Sequence, residues 1–142
     1  MLVKEVMNPK VVVAKPTATI KEAAKVMSEL RIGGLVIMEG EKIVGIMTER
    51  DVMKNVVAQA KDPEMTKISD IMTKEVVTIE PDKELEDACS LMVEKDVKRL
   101  PVVDSGKLVG IITATDVISI QPKMIESLAK LLLFREKKAI AG

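Results

Sequence analysis

Apolar residues fall along this chain in short blocks with two different spacings. Consecutive runs occur at Val11 to Ala14, Leu35 to Met38, Ile43 to Met47, Val76 to Ile79, Leu100 to Val103 and Leu108 to Ile112. Their length and β-branched content predict buried strands. Between them Ile20, Ala23, Ala24, Met27 and Leu30 hold helical spacing, and so do Leu85, Ala88, Cys89 and Met92. Pro16 and Pro81 stop the first strand of each set. Thr19-x-x-Glu22 predicts a capping box for the first long helix. Tight turns are expected at Glu39-Gly40-Glu41-Lys42 and Asp104-Ser105-Gly106-Lys107, and further helices start near Thr48 and Thr113.

The two sets are copies. A shift of 65 residues aligns Val6–Val52 with Ile71–Val117 without a gap, and 15 of 47 positions are identical. Composition alone would give about three. Met7 meets Met72, Pro16 meets Pro81, Gly45 meets Gly110, Thr48 meets Thr113 and Asp51 meets Asp116. The predicted fold is α+β: two tandem β-α-β-β-α repeats, packed sheet to sheet with pseudo-twofold symmetry, plus a C-terminal helix. Repeat 1 is expected over 1–60, a linker over 61–66 broken at Lys61-Asp62-Pro63, repeat 2 over 67–121 and the tail over 122–142. Each half is too small to bury a good core alone, which is the reason to expect packing as one unit. In the tail Met124, Ile125, Leu128, Leu131 and Leu132 form one stripe, with Leu133 and Phe134 outside it. That stripe fits either an ordinary packing helix or an interface.

Composition narrows the chemistry. The 142 residues contain no His, Trp or Tyr, one Phe and one Cys, and 22 basic residues balance 22 acidic ones. Without His there is no imidazole base, no Ser-His-Asp set and no histidine metal site. A single Cys builds neither an intrachain disulfide nor a Cys-rich zinc site. No catalytic residue and no metal ligand is therefore expected. Zero net charge and missing aromatics argue against nucleic acid. The longest uncharged stretch is eight residues, Leu108 to Thr115, far short of the roughly 20 that span a membrane. No signal peptide is evident, so a soluble cytoplasmic protein with no membrane partner is expected.

The strongest local signal is Gly45-Ile46-Met47-Thr48-Glu49-Arg50-Asp51 and its copy Gly110-Ile111-Ile112-Thr113-Ala114-Thr115-Asp116. Both read G-x-x-T-x-x-D at a strand-to-helix junction, and two readings stand. Thr48 and Thr113 are N-caps, with Asp51 and Asp116 closing acidic capping boxes. Alternatively, each junction is an anion site in which the hydroxyl meets phosphate and the carboxylate accepts the hydroxyls of a ribose. Arg50 adds a cation in the first copy. The second copy instead has Lys98-Arg99 before its hairpin, where the first has Gly33-Gly34.

The tandem repeat, the Pro-stopped first strand, Lys98-Arg99-Leu100-Pro101-Val102 and the doubled G-x-x-T-x-x-D motif resemble a stand-alone cystathionine β-synthase (CBS) domain pair, or Bateman module. The resemblance spans about Leu2 to Ser119. It implies two clefts between the repeats that take an adenosine-containing ligand: AMP, ADP, ATP, an NAD-type molecule or S-adenosylmethionine. Carried over, one cleft comprises Val12, Val13, Gly34, Leu35, Val36, Ile37, Thr48, Arg50 and Asp51. The other comprises Val77, Thr78, Ile79, Lys98, Arg99, Leu100, Pro101, Val102, Thr113 and Asp116. Asp51 and Asp116 would hold ribose, Thr48 and Thr113 would meet phosphate, and strand backbone would read the adenine. The resemblance also implies a homodimer, a regulated partner protein and no required cofactor. The two clefts differ in their basic residues and are not expected to be equivalent. The alternative is a protein–protein interaction module with no small-molecule ligand.

Overall fold

The computed structural model describes residues 1–129 and 131–132. In chain order it contains α1 (Val3–Val6), β1 (Val13–Ala14), α2 (Ile20–Leu30), β2 (Gly34–Glu39), β3 (Lys42–Thr48) and α3 (Glu49–Val52). A π-helical segment, Met53–Val57, continues α3. Then follow α4 (Ile68–Ile71), α5 (Leu85–Lys95), β4 (Arg99–Asp104), β5 (Lys107–Thr113), α6 (Ala114–Ile120), a 3-10 turn at Pro122–Met124 and α7 (Ile125–Ala129). The expected order of elements is present in the first copy, and in the second it is present apart from the first strand.

The chain forms two compact units, Val12–Val76 and Met1–Val11 with Val77–Gly142. They are called here the Asp51 unit and the Asp116 unit. They do not coincide with the sequence repeats, because each repeat's opening segment docks on the other repeat's body. In the Asp51 unit, Ile20 N–H donates to Thr66 O (2.9 Å), Ile68 N–H to Ala18 O (2.9 Å) and Ser69 N–H to Pro16 O (3.0 Å). In the Asp116 unit the same bonds run from Leu85 to Met1 O (3.0 Å), from Val3 to Lys83 O (2.8 Å) and from Lys4 to Pro81 O (3.0 Å). Every partner is displaced by 65.

Each unit holds its own buried cluster, and each cluster draws on a segment of the other repeat. Ile20, Ala23, Met27, Leu35, Ile37, Met47, Val56, Ile68 and Ile71 form one. The other is built on Leu85, Ala88, Cys89, Met92, Leu100, Val102 and Ile112, with Val3 contributed by the opening segment and Leu128 and Leu131 by the tail. The exchanged segments and the tail supply the apolar surface that a bare repeat lacks. The described part of the tail is thus a packing element; Leu133 and Phe134 lie outside the described residues. On α2 the predicted stripe is narrower than its spacing suggests, since Ala24 is exposed and so is Leu30. Only half of the Thr19 box forms among the described residues, with Glu22 N–H donating to Thr19 Oγ1 (3.2 Å).

In the Asp51 unit the sheet order is β1-β2-β3, with β1 parallel and β3 antiparallel to β2. In the Asp116 unit β4 and β5 pair antiparallel, and the expected strand at Val76 to Ile79 shrinks to a single parallel bridge, Ile79 with Val102. Ile79 N–H donates to Pro101 O, but Pro101 has no N–H with which to extend the ladder towards Val77. The hairpins close with two-residue loops. Gly40 alone takes positive φ in the first, whereas Ser105 and Gly106 both do in the second. These are the turns that match strand twist.

Candidate functional site

Each G-x-x-T-x-x-D motif spans the end of a hairpin strand and the first turn of a helix. Thr48 ends β3 and caps α3, and Thr113 ends β5 and caps α6. Both capping boxes form. Asp51 N–H donates to Thr48 Oγ1 (3.3 Å) and Thr48 N–H to Asp51 Oδ2 (2.9 Å). Asp116 N–H donates to Thr113 Oγ1 (3.1 Å) and Thr113 N–H to Asp116 Oδ2 (3.0 Å). The next orphan donor is taken as well: Glu49 N–H reaches Gly33 O (3.0 Å) and Ala114 N–H reaches Lys98 O (2.9 Å). Little of either first turn is left to bind an anion, so the junction's chemistry rests on its side chains.

The motif glycine has a packing reason that spacing alone did not show. A Cβ on Gly45 would stand 2.5 Å from Met72 Sδ and 3.1 Å from Thr73 O. On Gly110 it would stand 2.5 Å from Met7 Sδ and 3.2 Å from Asn8 O. These segments dock by paired backbone bonds. Thr73 N–H donates to Ile46 O and Ile46 N–H to Thr73 O, both at 2.9 Å. Asn8 N–H donates to Ile111 O (2.8 Å) and Ile111 N–H to Asn8 O (2.9 Å). Thr73 and Asn8 therefore occupy the same place beside the two motifs. Neither belongs to the predicted site. The signal that finds them is the 65-residue shift, which sets both directly after the aligned Met7 and Met72.

At that place the two junctions part. Thr73 Oγ1 donates to Asp51 Oδ1 (3.3 Å), and Thr48 Oγ1 donates to Asp51 Oδ2 (3.3 Å). Asn8 turns its side-chain oxygen back to Lys10 N–H (2.9 Å). Among the described residues, Asp116 accepts only the Thr113 N–H.

Strand register sorts the remaining predicted residues by face. Gly34 pairs with Thr48 and Val36 with Ile46 and Val13, so these share the sheet face opposite the core. Arg99, opposite Thr113, and Pro101, opposite Ile111, do the same in the other unit. Leu35 and Ile37, and likewise Leu100, Val102 and Ile79, send their side chains into the cores and can offer a ligand only backbone. Val12 and Val77 pack at the core margins, while Thr78 is exposed. Lys98 and Arg99 are half-buried and flank the start of α6, whereas Arg50 is exposed on α3. A cleft of about 530 Å³ in the Asp116 unit touches Thr78 and Ile79 but none of the motif residues. On its wall Glu80, Asp87 and Glu94 outnumber Lys83, which suits a phosphate badly.

Cys89 lies in the core of the Asp116 unit, and burial, followed by the nearby Glu86 charge, pushes its thiol above the ordinary value. Among the described residues, no cluster of three His, Cys, Asp or Glu side chains could hold a metal, and no helix is long and apolar enough to cross a membrane.

Two displaced copies of one hairpin, each ending in a Thr-capped helix, define a tandem-repeat α+β protein. The model of the CBS domain family matches residues 3–58 and 68–123, and the chain belongs to that family. It is 41% identical over 128 residues to uncharacterized protein MK0525 of Methanopyrus kandleri, covering 89% of this chain and 65% of that protein, so it spans just under two thirds of that relative. The crystal structure of the conserved CBS domain protein TA0289 of Thermoplasma acidophilum superposes with a TM-score of 0.86 at 29% identity, over 96% of this chain and 76% of that one. A hexameric CBS-CP12 protein from bloom-forming cyanobacteria gives 0.77 at 30% identity, over 89% of this chain and 73% of that one.

Proposed function

We propose that this protein is a regulatory module that binds an adenosine-containing ligand at its G-x-x-T-x-x-D junctions and acts through binding rather than catalysis. The observation that carries the reading is the Asp116 junction. A half-buried carboxylate with an unused oxygen stands one helical turn from the Thr113 hydroxyl, and Lys98-Arg99 lead into the strand opposite. Such a set offers acceptors to ribose hydroxyls and donors and positive charge to phosphate. AMP, ADP, ATP, an NAD-type molecule and S-adenosylmethionine all carry the ribose diol. The adenine edge falls to the backbone of β1 and of the Val77-Thr78 segment, the opening run of each strand set. Self-association is part of the proposal, a homodimer being the simplest form, and the hexameric CBS-CP12 neighbour supports it.

The test uses the missing chromophores. With no Trp or Tyr in the chain, a co-purified adenine dominates the near-ultraviolet spectrum. A thermal-shift and calorimetric panel of AMP, ADP, ATP, NAD and S-adenosylmethionine then identifies the ligand. At 100 times its dissociation constant a ligand adds about 2.7 kcal/mol of stability. No heat and no shift from any of the five would sink the reading. A second reading, an interaction module without a ligand, is favoured by the fact that both capping boxes are complete as they stand. It predicts that Asp116→Ala costs about 1 kcal/mol of stability and nothing else.

A further inference from the structure

We propose that Thr73, a residue outside the motif, sets which junction accepts a vicinal diol: its hydroxyl closes the Asp51 junction, and Asn8 leaves the Asp116 junction open. The proposal rests on the adenosine reading above and gives it a direction.

A carboxylate offers about four lone-pair positions. Asp51 fills three of them, with Thr48 N–H (2.9 Å), the Thr48 hydroxyl (3.3 Å) and the Thr73 hydroxyl (3.3 Å). Among the described residues Asp116 fills one, with Thr113 N–H (3.0 Å). Two neighbouring ribose hydroxyls need two acceptor positions on the acid. Asp116 has them free. Asp51 must first release a hydroxyl it already holds.

The hydroxyl that Asp51 holds is not delivered by chance. Thr73 is pinned to Ile46 by two backbone bonds of 2.9 Å, which fixes its Cβ beside the α3 turn. Asn8 is pinned to Ile111 in the same way, so backbone geometry does not distinguish the junctions. The side chain does, because Asn8 bonds its own chain at Lys10. The threonines of the motif follow suit. Thr48 gives its hydroxyl hydrogen to Asp51, whereas among the described residues the Thr113 hydroxyl only accepts, from Asp116 N–H, and keeps its hydrogen for a phosphate oxygen.

The experiment isolates each junction in the full chain and titrates AMP and ATP calorimetrically. Asp116→Ala leaves the Asp51 junction to be read, and Asp51→Ala leaves the Asp116 junction. Adding Thr73→Val to the first variant keeps the side chain's shape without its hydroxyl. It should tighten nucleotide binding about fivefold, the worth of one hydrogen bond no longer displaced. Adding Asn8→Thr to the second should change binding less, because Asp116 would still keep two of its four positions free. Unchanged or weaker binding after Thr73→Val overturns the proposal while leaving the ligand reading intact. If neither nucleotide gives heat with any variant or the parent, the same titrations are run with ADP, NAD and S-adenosylmethionine, and silence from all five overturns the ligand reading and the proposal with it.

Discussion

The Asp51 and Asp116 junctions share a backbone and differ in their hydrogen-bond economy. Strand register, cap, motif glycine and docked segment repeat at 65-residue intervals. One carboxylate nonetheless holds three donors and the other one. Duplication thus copies the geometry of a site without copying its readiness. Of the two extra donors one is the Thr48 hydroxyl, and the other, Thr73, comes from the neighbouring repeat's opening segment, where the second copy has Asn8. Exchange of those segments is what gives each repeat a say in the other's junction.

Breaking the shared half of this comparison carries the largest effect. Gly45→Ala and Gly110→Ala each force a methyl against a Met side chain and a backbone carbonyl. Each should cost about 1–3 kcal/mol in urea unfolding. The two costs should match, since the contacts match. A cost in only one unit would mean that only one segment is firmly docked. A smaller and unequal effect is expected at the caps. Thr113→Ala should cost about 1 kcal/mol. Thr48→Ala should cost more, because that hydroxyl also donates to Asp51.

The smallest effect is confined to one unit. Position 89 of α5 is a buried cysteine, while the aligned position 24 of α2 is an exposed alanine. Because folding raises the Cys89 pKa, its contribution is fully present below the pKa of the unfolded thiol. It is lost as pH rises through the higher folded value. Stability measured from neutral to alkaline pH should therefore fall more for the parent than for Cys89→Ala. Thiol-reagent labelling at neutral pH should track opening of the Asp116 unit. Fast labelling of the folded protein would show that its core is not closed over Cys89.

Most of the fold is legible in the chain because local signals agree. The β-branched runs, the turn residues and the Thr–Asp caps each specify an element, and repetition confirms them. What is not legible has long-range causes. The aligned segments around Val3 and Ile68 have similar apolar patterns, and nothing in that pattern says which repeat body each one joins. Pro101 shortens the sheet by a missing donor on a neighbouring strand, so the run at Val76 to Ile79 looks more strand-like than it is. Of the candidate site, the Thr–Asp pairs and the position of Lys98-Arg99 follow from the motif. Thr73 does not. Its role depends on a bond to an acid 22 positions away, which the pairing of β3 with the segment behind Met72 brings within reach.

The central claim is that the Asp116 junction is the one ready for a ribose diol, and two calorimetric titrations with AMP compare the junctions directly. Asp51→Ala should keep most of the parent's binding and Asp116→Ala should lose most of it. The opposite order, with Asp51→Ala abolishing binding and Asp116→Ala sparing it, would contradict the account.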